Sequence, residues 1–431
     1  MKKRLGNEIQ KLKKNGFFSI YFSTICSKVV TLFGGILLVR LMSKEDYGVY
    51  TLVQNAIAML CIFGDLGASD ATLQYALENE KSEKKQKGIF VFGMKMLIVS
   101  TLFSSILILL SPLFYPYKDA NIEKLTISLL FIPMLTSFIN YIAILLRVKK
   151  ENKKFSLYQF LTTIIHYSII ILCTVFWGLK GSLLSHYLYN IIIIVVGILM
   201  IKKNVSLNNF SKLEKKEKKD FFKLAIATQF NHTLNNMLYS VDIFVLGIML
   251  IKTTDVSIYK VATVIPTALV ILPQCLMIYF LPYFVKHNND KEWIKTNIKK
   301  LILYSLPFYA IITLTFIFLS KYIILILYGN EYIDAAMPFI LLMIGFFFTA
   351  TIKEPITSIV YVLHKIKFNV YMSIFSLILN LMFNILFVKL FGMIGVSIST
   401  LVISILCAVI SIIYVRNVVK SEKNDFIGEN K

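Results

Sequence analysis

Nine ionisable side chains lie inside or at the ends of long apolar runs of this 431-residue sequence. Five are bases and four are acids: Lys28, Arg40, Lys95, Lys260, Lys353, Asp65, Asp70, Asp242 and Glu354. Ionisable groups in runs long enough to cross a membrane are energetically costly, and they normally face a bundle interior or a wet cavity. Their types suit two kinds of chemistry. Lysines can hold an anion, and desolvated carboxyl groups can exchange protons.

The lysines predict an anion-binding site. Lys28 and Lys353 belong to opposite halves of the chain, and each approaches the middle of its apolar run. We expect both to face one aqueous cavity, because Lys and Arg side chains commonly line anion pathways. Lys95, Lys260 and Arg40 are expected to contribute to the same substrate-binding site.

Two private ion pairs are the structural alternative. Asp242 could pair with Lys260 on the next run, and Lys28 could pair with Asp65 across the first hairpin. Such pairs would hold helices in register without touching a solute.

The remaining acids are candidates for coupling transport to an ion gradient. Asp65, Asp70 and Glu354 are the carboxyl groups best placed to exchange protons, although Glu354 could simply neutralise the adjacent Lys353. We therefore expect no bound cofactor and a proton or sodium gradient as the energy source.

The composition predicts an integral membrane protein. Hydrophobic residues make up 57% of the chain and charged residues only 16%, against about 25% charged in soluble domains. A formal net charge of +22 would suggest nucleic acid for a soluble protein. Here the basic residues cluster in short loops, so we expect no nucleic-acid partner. The five cysteines lie in apolar runs without metal-ligand spacing, so no metal site is expected.

Hydropathy windows predict an all-α fold of about twelve transmembrane helices. The expected spans are 17–40, 48–77, 88–111, 125–147, 155–177, 182–201, 224–250, 258–285, 300–319, 333–363, 368–390 and 393–415. Alternate loops and the two termini hold 34 of the 46 Lys and Arg residues. Positive charge marks the cytoplasmic side, so both termini are expected in the cytoplasm.

The spans fall into two lobes of six helices. A basic linker, residues 202–223, separates an N-terminal lobe (1–201) from a C-terminal lobe (224–431). One pattern occurs in both lobes: Phe155-Ser-Leu-Tyr158 leads to Gly178-Leu-Lys-Gly181, and Phe368-Asn-Val-Tyr371 leads to Gly392-Met-Ile-Gly395. Nearly equal spacing and the same expected membrane orientation predict parallel repeats.

Several catalytic chemistries are missing from the sequence. It contains no Gly-Lys dipeptide and hence no phosphate-binding P-loop, and it contains neither HExxH nor GxSxG. His166, His186 and His232 lie in separate spans and are interpreted as hydrogen-bonded core histidines. No catalytic residue is expected, and the protein is predicted not to be an enzyme.

Motifs along most of the chain resemble those of one family. They are Arg40-Leu-Met-Ser-Lys-Glu-Asp-Tyr-Gly-Val-Tyr50, Phe63-Gly-Asp-Leu-Gly67, Asp242…Gly247…Ile258-Tyr259, Leu327-Tyr-Gly-Asn-Glu-Tyr332 and Asn384…Gly392…Gly395-Val-Ser-Ile-Ser-Thr400. Their order and spacing resemble Wzx-type polysaccharide (O-antigen) flippases of the multidrug/oligosaccharidyl-lipid/polysaccharide (MOP) exporter superfamily.

The resemblance implies a MATE-like fold with a central cavity. It also implies flipping of undecaprenyl-pyrophosphate-linked oligosaccharides across the bacterial cytoplasmic (inner) membrane for lipopolysaccharide O-antigen or capsule assembly. The bilayer, a polysaccharide polymerase and a chain-length regulator are the implied partners. Two alternatives remain open, a MATE-like drug or metabolite exporter and a polyprenol-dependent membrane glycosyltransferase or polymerase.

Overall fold

Helices make up all of the regular structure in the described part of the chain. The computed structural model describes residues 17–61, 64–116, 119–202, 210–249, 252–288, 290–363 and 365–428. Contacts divide the chain into two compact units, Met1–Asn236 (unit 1) and Met237–Lys431 (unit 2). The boundary falls inside a helix that begins in unit 1.

Unit 1 contains seven helices and the first part of an eighth. They are α1 (Phe17–Leu41), α2 (Lys44–Leu60), α3 (Ala68–Glu78), α4 (Glu83–Leu110), a 3-10 turn (Ser111–Leu113), α5 (Ala120–Ser128), α6 (Ile132–Val148), α7 (Asn152–Ile201) and α8 (Lys215–Met249).

Unit 2 continues with eight α-helices, one 3-10 helix and one π-helix. They are α9 (Thr253–Leu269), α10 (Ile271–Lys286), α11 (Lys291–Phe318), α12 (Ser320–Tyr328), a 3-10 helix (Asn330–Ala335), α13 (Ala336–Phe348), a π-helix (Thr349–Lys353), α14 (Glu354–Val362), α15 (Ile366–Phe391) and α16 (Met393–Gly428).

The helices account for the twelve expected crossings. Eight stretches of the described chain are long and apolar enough to span a membrane, and the bent pair α5–α6 makes a ninth. Helix α7 has 50 residues, which at 1.5 Å per residue is roughly 75 Å, so it crosses a ~30 Å core twice. The broken pair α2–α3 and the more polar α8 coincide with the two other predicted spans, 48–77 and 224–250. The predicted all-α membrane fold is confirmed.

The repeated glycine motifs form the same turn in both units. Gly178 has φ 56° and ψ −139°, and Gly392 has φ 60° and ψ −140°, a left-handed φ that glycine adopts without strain. A Cβ at Gly181 would overlap the Cys173 carbonyl oxygen, and one at Gly395 would overlap that of Phe387. The first glycine therefore reverses the chain, and the second lets the two helical arms meet. The predicted repeat is confirmed at this turn.

We expect Gly181→Ala to lower the thermal unfolding temperature of the purified protein. The added methyl group would push the arms of α7 apart, and overpacking of this kind costs about 1–3 kcal/mol. Gly35→Ala in α1 is the control, because nothing lies within 4 Å of the position a Cβ would take there. Equal unfolding temperatures for the two variants would contradict the close packing.

The described end of the predicted linker docks on α4. The Ser211 N–H donates to the Lys84 carbonyl oxygen at 3.1 Å, and Leu213 is buried. Lys85 and Glu217 form an ion pair at 2.5 Å. Residues 203–209 of the predicted linker lie outside the described chain.

Candidate functional site

The second membrane crossing is broken in its middle. Between α2 and α3, Gly64, Leu66 and Gly67 have φ values of 42°, 54° and 71°. Leu66 is not a glycine, so this backbone stores strain of roughly 1–3 kcal/mol. The Asp65 carboxylate accepts hydrogen bonds from the backbone N–H groups of Gly67 (3.0 Å) and Ser69 (3.1 Å). Asp65 therefore caps α3, which is a different contact from the expected pair with Lys28.

Helix α8 packs directly on this break. A Cβ at Gly67 would overlap the Ala225 carbonyl oxygen and the Thr228 hydroxyl oxygen, so only glycine allows the approach. The side-chain amide of Gln229 lies beside Gly64. Broken helices in transporters commonly mark binding sites, because their freed backbone groups line a cavity.

An ionisable residue of α8, His232, contacts α3 just after the break. His232 Nε2 lies 2.7 Å from Asp70 Oδ2 in the first turn of α3. The sequence predicted Asp70 as a coupling acid and His232 as a core histidine. The structure joins the two, and the His232 side chain is 60% exposed.

A second polar centre lies in unit 2 around Asp242. Its carboxylate accepts hydrogen bonds from the Tyr259 hydroxyl (2.5 Å), the Asn384 amide (2.9 Å) and the Thr400 hydroxyl (3.1 Å). The Asn384 amide also donates to the Asn380 side-chain oxygen. The centre thus ties together α8, α9, α15 and α16, and it unites two of the sequence motifs.

The expected Asp242–Lys260 pair is not among the ion pairs of the described residues. Tyr259, the residue before Lys260, occupies the carboxylate instead. Lys260 is half-buried. The sequence places Tyr259 and Lys260 at nearly the same depth as Asp242. Consecutive helical residues point in different directions, so depth alone does not say which of the two contacts the carboxylate.

Sequence offsets between matching elements relate residues of the two units. Helices α2 and α9 begin 209 residues apart, an offset that matches Tyr50 with Tyr259. The glycine turns lie 214 residues apart, an offset that matches His186 with Thr400.

The unit 1 counterpart differs from the Asp242 centre in its chemistry. The Tyr50 hydroxyl oxygen lies 3.3 Å from His186 Nε2, and the Gln54 side-chain nitrogen lies 2.9 Å from the same atom. The His166 ring is 5.5 Å from the His186 ring, and its buried Nε2 has no partner among the described residues. Tyr50 thus contacts an imidazole, whereas its counterpart Tyr259 contacts a carboxylate.

The structure gives the exposure of each predicted cationic residue within its own unit. Lys28, Lys95 and Arg40 have exposed side chains, and Lys353 is half-buried. Lys353 ends the π-helix, and Glu354 begins α14. Lys28 and Lys353 belong to different units, so their convergence on one cavity stays a prediction.

Comparison with known proteins identifies the family. Residues 37–337 match the family described as "Polysaccharide biosynthesis protein". The chain belongs to this family. Among curated protein sequences, none matches the chain significantly.

Solved transporters share the fold. The lipid II flippase MurJ in an inward closed conformation aligns with a TM-score of 0.72 and 18% identity, over 92% of this chain and 87% of its own. An inward-facing multidrug resistance MATE family transporter of the MOP superfamily aligns with a TM-score of 0.71 and 15% identity, over 92% and 96%.

A MOP superfamily transporter from Pyrococcus furiosus aligns less closely, with a TM-score of 0.59 and 14% identity over 94% and 95%. The family match confirms the predicted link to polysaccharide biosynthesis, and the chain shares its fold with these solved structures. The predicted MATE-like architecture is confirmed as well.

Proposed function

We propose that the protein flips undecaprenyl-pyrophosphate-linked oligosaccharide repeat units across the bacterial cytoplasmic membrane for O-antigen or capsule assembly. The observation that carries the proposal is a polysaccharide biosynthesis family match on a chain with the fold of flippases and transporters. The cargo changes leaflets without covalent change, so the protein acts as a transporter and not as an enzyme. A polymerase and a chain-length regulator would receive the flipped units.

The distribution of charge supports one orientation. The basic loops and both termini would face the cytoplasm, where Lys and Arg accumulate in membrane proteins. In this proposal Lys28 and Lys353 contact the pyrophosphate, and Lys95, Lys260 and Arg40 add positive potential along the pathway.

The Asp242 centre is our proposed site for the coupling cation. Its groups supply a carboxylate, amide oxygens and hydroxyl oxygens, the ligand types that hard cations prefer. The Asn384 side-chain oxygen is fully buried and has no hydrogen-bond partner among the described residues. A buried oxygen without a donor is costly, and Na⁺ would satisfy it. Protonation of Asp242 is the alternative to Na⁺ binding as the means of coupling transport to an ion gradient.

Reconstitution tests the proposed function directly. Proteoliposomes carrying an undecaprenyl-pyrophosphate-linked fluorescent glycan are treated with a membrane-impermeant glycosidase, and the protected fraction is followed over time. We expect the protein to raise the rate at which inner-leaflet glycan becomes accessible, with glycan length unchanged. Empty liposomes are the control.

The same vesicles separate the alternatives. The MATE-like fold and the acids of unit 1 favour a drug or metabolite exporter as the second candidate. Export of a fluorescent organic cation without glycan flipping would replace our proposal with that function. Elongation of the glycan would indicate a glycosyltransferase or polymerase.

A further inference from the structure

Asp70 and His232 are separated by 162 residues in the sequence and meet in unit 1 at 2.7 Å. We propose that they form a proton-binding site, which holds α8 against α3 while the imidazole carries its proton. Their side chains are 38% and 60% exposed, so the pair lies at a surface of unit 1 and not in its packed core. The site is distinct from the Asp242 centre, which lies in unit 2.

The packing of α3 and α8 fixes the geometry of the pair. Gly67 lets the α8 backbone at Ala225 come into contact with the start of α3, and His232 lies two helical turns further along α8. Tyr75 and Phe221 add a ring contact at 5.5 Å between the same two helices. The imidazole is thus positioned by backbone contacts that do not depend on its charge, and the proton adds an attraction to an existing interface.

The charges around the pair leave the Asp70 carboxylate dependent on the proton of His232. From the α3 side, Asp65 is satisfied by two backbone N–H groups, and from α6 the Arg147 guanidinium acts on Asp70 over a longer distance. Helix α4 presents Gly93, and its charged residue at this depth, Lys95, is exposed. His232 is the closest countercharge, so losing its proton leaves the Asp70 carboxylate poorly compensated in a membrane crossing.

The chemistry fits a proton better than a metal ion. The described residues contain no group of three or more His, Cys, Asp or Glu side chains suited to a metal. Imidazole is the side chain whose ordinary titration lies in the physiological pH range. Proton binding and the α3–α8 contact must strengthen each other reciprocally.

The location gives the site a role in transport, a consequence that rests on the proposed function. Helix α8 carries the boundary between the two units four residues beyond His232. A proton that strengthens the hold of α3 on α8 therefore acts on the helix that leads into unit 2. Protonation would favour one arrangement of that helix over another by the free energy of the added ion pair.

Histidine NMR tests proton binding without any cargo. The full-length protein in nanodiscs, labelled at histidine Cε1, contains five histidines, and the signal lost in His232→Gln is that of His232. We expect this signal to titrate between pH 5 and 8. Asp70→Asn should weaken its proton binding about tenfold, a shift of one pH unit. Asp70→Glu, which keeps the charge, should retain most of the affinity.

Glu78→Gln is the matched control. It removes a carboxylate from the same helix, where Glu78 accepts a hydrogen bond from Gln74 and is exposed. This variant should titrate like the wild type. A His232 signal that does not move over the range, or that titrates identically in Asp70→Asn, would overturn the proposal.

Thermal unfolding tests the hold of α3 on α8. At pH 5.5, Asp70→Asn and His232→Gln should each lower the unfolding temperature, and the double variant should be no less stable than the worse single variant. At pH 8.5 the losses should largely vanish, because a neutral imidazole provides no ion pair. Additive losses at both pH values would show a merely structural pair. Neither measurement needs flipping, so failure of the flippase assignment would leave this result standing.

Discussion

Asp242→Asn is expected to reduce glycan flipping in proteoliposomes to the background of empty vesicles while the protein stays folded. The amide is nearly the size of the carboxylate and can still accept bonds from the Tyr259 and Thr400 hydroxyls. It carries no charge, however, and hard cations bind neutral amide sites more weakly than carboxylate sites. The thermal unfolding temperature separates this loss of cation binding from unfolding.

The Asp242→Ala variant should lose both activity and stability. It leaves the Tyr259, Asn384 and Thr400 donors without their acceptor, and each unpaired buried group costs about 1–3 kcal/mol. Asp220→Asn is the control, because it removes an exposed carboxylate from the same helix. Flipping by Asp242→Asn at the wild-type rate would contradict a coupling role for this centre. Flipping that is indifferent to Na⁺ and proton gradients would contradict it equally.

The sequence predicts well which residues lie within the membrane and which turn is repeated in the two units. Apolar runs of about twenty residues identify the crossings, because hydrocarbon thickness fixes helix length. The Gly178 and Gly392 turns are also readable, since a glycine pair at fixed spacing has few structural uses. Their nearly identical dihedral angles show that local sequence determines this part of the fold.

The partners of the buried charges were harder to predict. Hydropathy assigns Asp65, Asp70 and Asp242 a depth but not a direction around the helix. Asp65 turns to the backbone because three positive φ values form a tight loop at that point. His232 reaches Asp70 only because Gly67 admits α8. These contacts depend on close packing between distant segments, and such packing leaves no local pattern.

In unit 2, the family motifs identify residues that meet around Asp242. The motif residues Asp242, Tyr259, Asn384 and Thr400 lie far apart in sequence, yet they meet around one carboxylate. Charge alone offers Lys260 as the structural alternative for a partner of Asp242. Neutral donors form the actual contacts, and a search for opposite charges cannot find them.

Lys353→Ala is expected to abolish flipping, and Lys28→Ala is expected to do the same. Lys353 ends a π-helix, and π-helical turns inside α-helices frequently occur at functional sites because they redirect a side chain. Glu354 and Lys353 act on each other electrostatically, but consecutive helical residues do not face each other, and no ion pair joins the two among the ion pairs of the described residues. In our proposal the half-buried Lys353 ammonium contacts the anionic cargo.

The proposed reason for the loss of flipping in the two lysine variants is electrostatic. Two lysines facing one cavity repel when it is empty, and a pyrophosphate between them relieves that repulsion. The attraction is stronger there than in water because the local dielectric is lower. Lys353→Arg should therefore retain part of the activity, since charge matters more than shape for a diffuse anion contact, whereas Lys353→Glu should be inactive. Lys389→Ala, an exposed lysine of the same unit, is the control. Normal flipping by both Lys28→Ala and Lys353→Ala would rule out the cationic cavity, even if the protein remained a flippase.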